Sequence, residues 1–132
     1  MTRVIDAGVV VAALVDGGQT GRWAESLLVG GHPAAPPLMP VEAANVLRRA
    51  WHRGDVSPDV ASLAHADLLS LRVEIFPYET IAMRAWAHRA NLTIYDACYV
   101  ALAEILDAEL VTLDRRLARA PGVDCRFALP PE

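Results

Sequence analysis

Four acidic residues stand where an apolar stretch of the sequence passes into a predicted helix: Asp6, Glu42, Asp96 and Asp114. A carboxylate in apolar surroundings needs a partner, because burying an unpaired charge is costly. The chain contains no lysine, and among the four acids only Asp114 is followed directly by arginines. Carboxylates with few local cations are typical ligands of a hard divalent cation. The pattern therefore indicates a metal-dependent enzyme, and we expect one that acts on phosphodiesters.

Each of these acids also has a purely structural explanation. Asp6 and Asp114 are placed to act as N-caps of the helices that follow them, and Thr93 with Asp96 fits the capping-box pattern. Glu42 lies in a first helical turn, where the helix dipole favours an anion. Capping is the better explanation for any one acid taken singly. The four together favour a metal site, and both roles are compatible because a helix N-terminus can position a carboxylate for a metal.

Strand and helix patterns alternate along the chain, which predicts a parallel sheet sandwiched between helices. In such a fold, ligands bind outside the carboxyl ends of the strands, where Asp6 and Asp114 fall. Glycine and proline positions set most boundaries. We predict strands or extended segments at 3–6, 32–37, 73–76, 110–113 and 123–127, and helices from residue 7 to 15 and at 19–29, 41–52, 58–71, 79–90, 93–108 and 115–120.

Composition bounds the protein class. The 132 residues, 54% of them hydrophobic, suit one compact domain spanning 1–132. No apolar run approaches the ~20 residues of a membrane span, and no signal peptide is recognisable. Cys98 and Cys125 lack metal-site spacing, so we expect reduced thiols in a cytoplasmic protein. The net charge of −4 disfavours coating of nucleic acid in bulk but allows a local basic patch.

Missing motifs argue against several other kinds of site. The four histidines are dispersed, without an HExxH motif or a His/Cys cluster, which argues against zinc. The absence of GxSxG argues against a serine nucleophile of the hydrolase type. The GxGxxG and GxxxxGK[ST] motifs are also absent, so dinucleotide and P-loop nucleotide binding have little support.

The four acids and their flanks resemble the motifs of the PIN-domain ribonucleases, and among them the VapC-type toxins of type II toxin–antitoxin systems. Four segments carry the resemblance, in the order in which the family has them: VIDAGVVVAAL at 4–14, PVEAANVL at 40–47, LTIYDACYVALA at 92–103 and LVTLDRRL at 110–117. Two positions depart from the pattern. Gly8 stands where these toxins often have serine or threonine, and Arg116 stands where many relatives have another acid.

The resemblance implies an α/β fold, PIN-like, with three α/β/α layers and a central, mostly parallel sheet. It implies a Mg²⁺-dependent endoribonuclease that cleaves RNA phosphodiesters, with Mg²⁺ or Mn²⁺ as Lewis acid and activator of water. We assign Asp6 and Asp96 as primary metal ligands. Glu42 and Asp114 are expected to complete the acidic catalytic pocket, directly or through water.

Further residues are assigned supporting roles. Asn45 lies one helical turn after Glu42, and we predict that it and Thr112 orient the acids or a bound water; an ordinary surface or core role is the alternative. Two arginine groups follow the acids in sequence and are candidates for RNA phosphate contacts, with solvated helix faces as the alternative. The candidate RNA-binding residues are Arg48, Arg49, Arg115 and Arg116.

The resemblance also implies protein partners. We expect a cognate antitoxin that offers a basic side chain to the acidic pocket and packs an apolar segment on the helices next to Asp6, with the groove formed by Val10, Leu14, Trp23 and Leu27. We expect a homodimer that uses apolar surface on helices 41–52 and 79–90. The alternatives are an RNA-processing PIN nuclease without an antitoxin, and a catalytically silent PIN-fold binding module, for which the departures at Gly8 and Arg116 speak.

Overall fold

The computed structural model describes residues 1–132, in which strands and helices alternate. Its elements are β1 (Thr2–Ile5), α1 (Ala7–Val15), α2 (Gln19–Val29), β2 (His32–Ala35), α3 (Met39–His52), α4 (Pro58–Ser70), β3 (Glu74–Ile75), α5 (Tyr78–Ala87), α6 (Ile94–Leu106), β4 (Glu109–Val111), a 3₁₀ turn (Leu117–Arg119) and β5 (Phe127–Ala128). None of the helices has the length and apolar character that crossing a membrane requires.

The five strands form one sheet in the order β3-β2-β1-β4-β5, and every pairing is parallel. From β1 the chain proceeds outward through β2 to β3, then returns across the sheet to β4 on the other side of β1. Parallel crossovers are right-handed, so reversing direction places the later helices on the opposite face. The two central strands therefore flank the point where the direction of the connections reverses, which is where α/β sheets bind ligands.

The helices form the two outer layers of the α/β/α fold. On one side, α1 contacts α2, α3 and α4, while α5 and α6 pack against each other. Residues 97–103 of α6 are buried without interruption, because this helix lies against both β1 and β4. The predicted three-layer α/β class is confirmed, and the apolar character of α6 reflects its central position.

Local signals explain most element boundaries. The Ser57 hydroxyl accepts a hydrogen bond from the Val60 amide at 3.1 Å, and Pro58 occupies the first turn of α4. The Thr93 hydroxyl accepts a hydrogen bond from the Asp96 amide at 3.2 Å, which makes Thr93 the N-cap of α6. The α2 helix has the predicted bounds, since glycines precede and follow it.

Some boundaries differ from the sequence predictions. The β2 strand ends at Ala35 because Pro36 and Pro37 have no amide to donate to a neighbouring strand. The last strand is confined to 127–128 rather than 123–127, because the Asp124 amide donates to a Glu104 carboxylate oxygen at 2.9 Å. After β4, a 3₁₀ turn at 117–119 replaces the helix predicted at 115–120.

Candidate active site

All four acids of the sequence pattern line one cavity at the carboxyl edge of the sheet. Asp6 follows β1, Asp114 follows β4, Glu42 lies on α3 and Asp96 lies on α6. The cavity has a volume of about 270 Å³. Its lining residues are Asp6, Ala7, Gly8, Glu42, Asn45, Val46, Arg49, Asp96, Tyr99, Asp114 and Leu117. Residues spread over most of the chain are therefore brought together at the reversal point of the sheet.

Asp6 combines a capping role with a place in the cavity. Its Oδ1 accepts a hydrogen bond from the Val9 amide at 2.9 Å as N-cap of α1, and its Oδ2 accepts from the Thr112 hydroxyl. Burial raises the pKa of Asp6 to about 6, the two hydrogen bonds oppose that rise, and the charges of Glu42 and Asp114 add to it. Asp6 therefore acts as the N-cap of α1 and also belongs to the group of charges around the cavity.

Thr112 links the ends of the two central strands. Its side chain is fully buried, and its hydroxyl donates to Asp6 while accepting from the Asp114 amide at 3.0 Å. Asp114 Oδ1 in turn accepts from the amides of Arg116 and Leu117 at 2.9 and 3.1 Å. Asp114 therefore caps the following turn, as the structural alternative predicted, and it still lies at the cavity.

Asp96 and Glu42 differ in how they are held. Asp96 is half-buried, and burial followed by the charge of Asp114 raises its pKa. Glu42 Oε1 accepts a hydrogen bond from the Tyr99 hydroxyl at 2.7 Å. Sequence reasoning missed Tyr99, although its position three residues after Asp96 places both on one face of α6.

The donor set fits a hard cation. None of the six ion pairs of the protein includes these four carboxylates, so no basic side chain lies within 4.0 Å to neutralise them. No group of three or more histidine, cysteine, aspartate or glutamate side chains forms a ready-made cage. Mg²⁺ does not require one, because it is commonly held by one or two carboxylates and keeps several waters. Carboxylates that lack an ion-pair partner around one cavity are consistent with that mode of binding.

The candidate arginines do not share one location. Arg49 lines the acidic cavity, whereas its neighbour Arg48 lines a separate groove between α3 and α4, together with Trp51. Arg115 donates to the Pro130 carbonyl at 2.6 Å and is held against the C-terminal segment. Arg116 lines a shallow pocket that Asp96 and Asp114 also border. The structure therefore places Arg49 and Arg116 beside the acids and directs Arg48 and Arg115 elsewhere.

The remaining predicted residues are partly misplaced. Asn45 is exposed and lines the cavity one turn after Glu42. Val10 is completely buried in the core, so it is unable to form the wall of an open groove. Leu14, Trp23 and Leu27 are partly exposed and pack against that core. The prediction that Val10 lines the antitoxin groove is therefore wrong. The sequence of α1 is mostly apolar, so it does not reveal which side of the helix faces the core.

Comparison with known proteins identifies the family of this chain. The PIN domain profile matches residues 3–123. The chain belongs to the PIN-domain family. Within it, the chain is 39% identical to Ribonuclease VapC1 of Mycobacterium tuberculosis over 127 residues, which are 96% of each protein. This similarity places it in the VapC group.

Solved structures share the PIN-domain fold. M. tuberculosis VapC20, described as a sarcin-ricin loop cleaving toxin, superposes with a TM-score of 0.67 at 16% identity, covering 92% of this chain and 96% of VapC20. A chain of a toxin–antitoxin complex from Klebsiella pneumoniae gives a TM-score of 0.61 at 21% identity, covering 98% of both chains. At these identities the structural likeness supports the fold of this VapC-type protein, and its individual site residues rest on their own geometry.

Proposed function

We propose that this VapC-type ribonuclease is a Mg²⁺-dependent endoribonuclease that cleaves RNA phosphodiesters at the acidic cavity. The observation that carries the proposal is the convergence of four carboxylates from four separate elements, none of which forms an ion pair with a basic side chain. Asp6 and Asp96 would hold the ion, with Glu42 and Asp114 completing the pocket. A bound Mg²⁺ or Mn²⁺ would supply Lewis-acid stabilisation and activation of water.

The protein's own side chains prepare the site. Thr112 fixes one oxygen of Asp6 and the Asp114 amide, which holds the two strand ends in register. Asn45, one turn from Glu42, is placed to orient a carboxylate or a water. Arg49 and Arg116 border the acids and are our candidates for contacts to the RNA phosphates, because a guanidinium donates two parallel hydrogen bonds to such groups.

We further propose that the protein is a toxin inhibited by a cognate antitoxin. The relatives' VapC names and the toxin–antitoxin complex among the similar structures support this assignment. The negative pocket suits a basic antitoxin side chain that competes with the metal, while Leu14, Trp23 and Leu27 remain the candidate apolar contacts. A complex that bound Mn²⁺ with unchanged affinity would contradict metal displacement.

Homodimer formation is a separate proposal. Trp51 on α3 and Trp86 on α5 are 44% and 55% exposed, which leaves large apolar side chains at the surface of the single chain. We expect sedimentation analysis at micromolar concentration to find a dimer. A protein that sediments only as a monomer would contradict this proposal.

The catalytic assignment is tested with purified variants and RNA. Asp6→Asn and Asp96→Asn should each lower cleavage by more than about 100-fold, because even residues that only orient a metal ligand contribute roughly 10–100-fold. Asp67→Asn is the matched control, since Asp67 is an exposed acid on α4 outside the cavity. Calorimetry should detect Mn²⁺ binding to the wild type and the control. Full cleavage by Asp96→Asn would overturn the metal assignment.

A further inference from the structure

One buried hydroxyl contacts the acidic cavity from α6. The Tyr99 side chain donates to Glu42 Oε1 across 2.7 Å, although the two residues are 57 positions apart in the chain. Tyr99 is only 4% exposed, yet it belongs to the cavity lining. The hydroxyl distinguishes Tyr99 from a phenylalanine, which would fill the same space without donating to the carboxylate.

The position of this hydrogen bond gives it a structural consequence. Tyr99 lies one helical turn after Asp96, so both side chains leave α6 on the same side. Glu42 lies on α3, which follows β2 in the other layer of helices. The bond therefore ties an acid of one layer to the helix that carries an acid of the other layer. Movement of α3 relative to α6 would have to break it.

The Tyr99 hydroxyl is a neutral hydrogen-bond donor, unlike the charged guanidinium and ammonium groups that commonly hold carboxylates. A neutral donor holds one oxygen of the Glu42 carboxylate and leaves its negative charge in place, whereas an arginine or lysine would neutralise that charge. The other oxygen, Glu42 Oε2, has no hydrogen-bond partner in the protein.

We propose that Tyr99 is a positioning residue: its hydroxyl fixes the Glu42 carboxylate so that the second oxygen stays available to the acidic cavity. The inference rests on the proposed metal-dependent function and assigns to Tyr99 no contact with RNA. The competing explanation is that Tyr99 only packs α6 against the sheet. Under that explanation the ring matters and the hydroxyl does not.

The test compares Tyr99→Phe with Tyr95→Phe. Tyr95 is on the same helix and 66% exposed, so its variant controls for the loss of a hydroxyl that faces solvent. Tyr99→Phe should weaken Mn²⁺ binding in calorimetry by roughly 10–100-fold, the usual effect of removing a group that orients a ligand, with an unchanged far-ultraviolet circular dichroism spectrum. Tyr95→Phe should bind Mn²⁺ as the wild type does. Equal Mn²⁺ affinity in Tyr99→Phe and wild type would overturn the inference.

A second variant approaches the same bond from the other side. Glu42→Asp shortens the carboxylate by one methylene and leaves Tyr99 intact, so it should weaken Mn²⁺ binding, and adding Tyr99→Phe to it should cause little further loss. Full additivity of the two losses would show that Tyr99 does not act through Glu42. If the wild type bound no Mn²⁺ and cleaved no RNA, the proposed function itself would fail and this inference with it. If the wild type bound Mn²⁺ and cleaved RNA, and Tyr99→Phe bound Mn²⁺ with the same affinity, the inference about Tyr99 would be refuted and the proposed function would stand.

Discussion

The ionised form of Asp6 should destabilise the metal-free protein, and removing its charge should stabilise it. The pKa of Asp6 rises from 3.8 to about 6 in the folded chain, chiefly because of burial. One pKa unit corresponds to about 1.4 kcal/mol, so the ionised carboxylate costs the fold about 3 kcal/mol. Because the folded pKa lies above the unfolded one, this cost is absent below about pH 4, grows between pH 4 and 6 and is complete above about pH 6.

Asp6→Asn removes the charge and keeps an acceptor for the N-cap of α1. The loss of one of its two hydrogen bonds would cost roughly 1 kcal/mol, so we expect a net gain of about 1–3 kcal/mol at pH 7.5. For a chain of this size that gain raises the midpoint of thermal unfolding by roughly 3–5 °C per kcal/mol. The measurement is a series of thermal melts in chelator between pH 4.5 and pH 7.5, and the difference between variant and wild type should shrink toward the acidic end.

Metal should reverse the order of stability. At a free Mn²⁺ concentration of about 1,000 times its Kd, the wild type gains about 4.1 kcal/mol, which exceeds the expected advantage of the variant, while the variant gains little. Asp67→Asn should behave as the wild type under both conditions. If Asp6→Asn melted at a lower temperature than the wild type at pH 7.5 in chelator, the ionised carboxylate would stabilise the fold, and the reasoning from its raised pKa would be wrong.

Three further predictions address other parts of the protein. Mn²⁺ affinity measured by calorimetry should fall about tenfold per pH unit below pH 6, because protons compete for Asp6; a flat profile would remove Asp6 from the ligands. Gly8→Ala should raise the thermal midpoint and the stability by roughly 0.5 kcal/mol, since a Cβ there would meet its nearest neighbours at 3.6 Å, an ordinary contact; a lower midpoint would contradict this. Glu104→Gln should reduce the free energy of unfolding, measured in urea, by roughly 1–3 kcal/mol. The reason is that the buried Glu104 carboxylate forms hydrogen bonds with His88 Nε2 and the Asp124 amide at 2.8 and 2.9 Å. An unchanged midpoint of urea unfolding would show that these hydrogen bonds do not stabilise the fold.

The sequence predicted the convergence of the four acids for a physical reason. Buried strands followed directly by Asp6 and Asp114 are expected to end at one edge of a parallel sheet. Glu42 and Asp96 were found by the same pattern, in the first turns of helices, and the family resemblance supported grouping all four acids in one pocket. The roles of these acids as metal ligands stay predictions. The helix bounds were also accessible where glycine, proline or a capping hydroxyl marks them, as at Ser57.

Other parts of the site depended on orientation, which the sequence does not reveal. Arg48 and Arg49 are adjacent on α3, and a rotation of about 100° per residue sends one to a separate groove and the other to the cavity. The same uncertainty misplaced Val10, because a helix that is apolar on most sides shows no preferred inner face. Tyr99 was missed because a tyrosine within an apolar helix resembles a core residue until its distant partner is known.

The pairing of β1 with β4 joins segments that are far apart in the chain, so we expect the site to form late in folding. Asp6 and Thr112, which join at this pairing, are separated by 106 positions, and the entropy of closing so long a loop must be overcome before they meet. A chain in which only the first strands and helices had assembled would hold Asp6 and Glu42 without the rest of the cavity. If the proposed function holds, hydrolytic capacity should appear only with the completed fold, and incompletely folded copies of the protein should not cleave RNA.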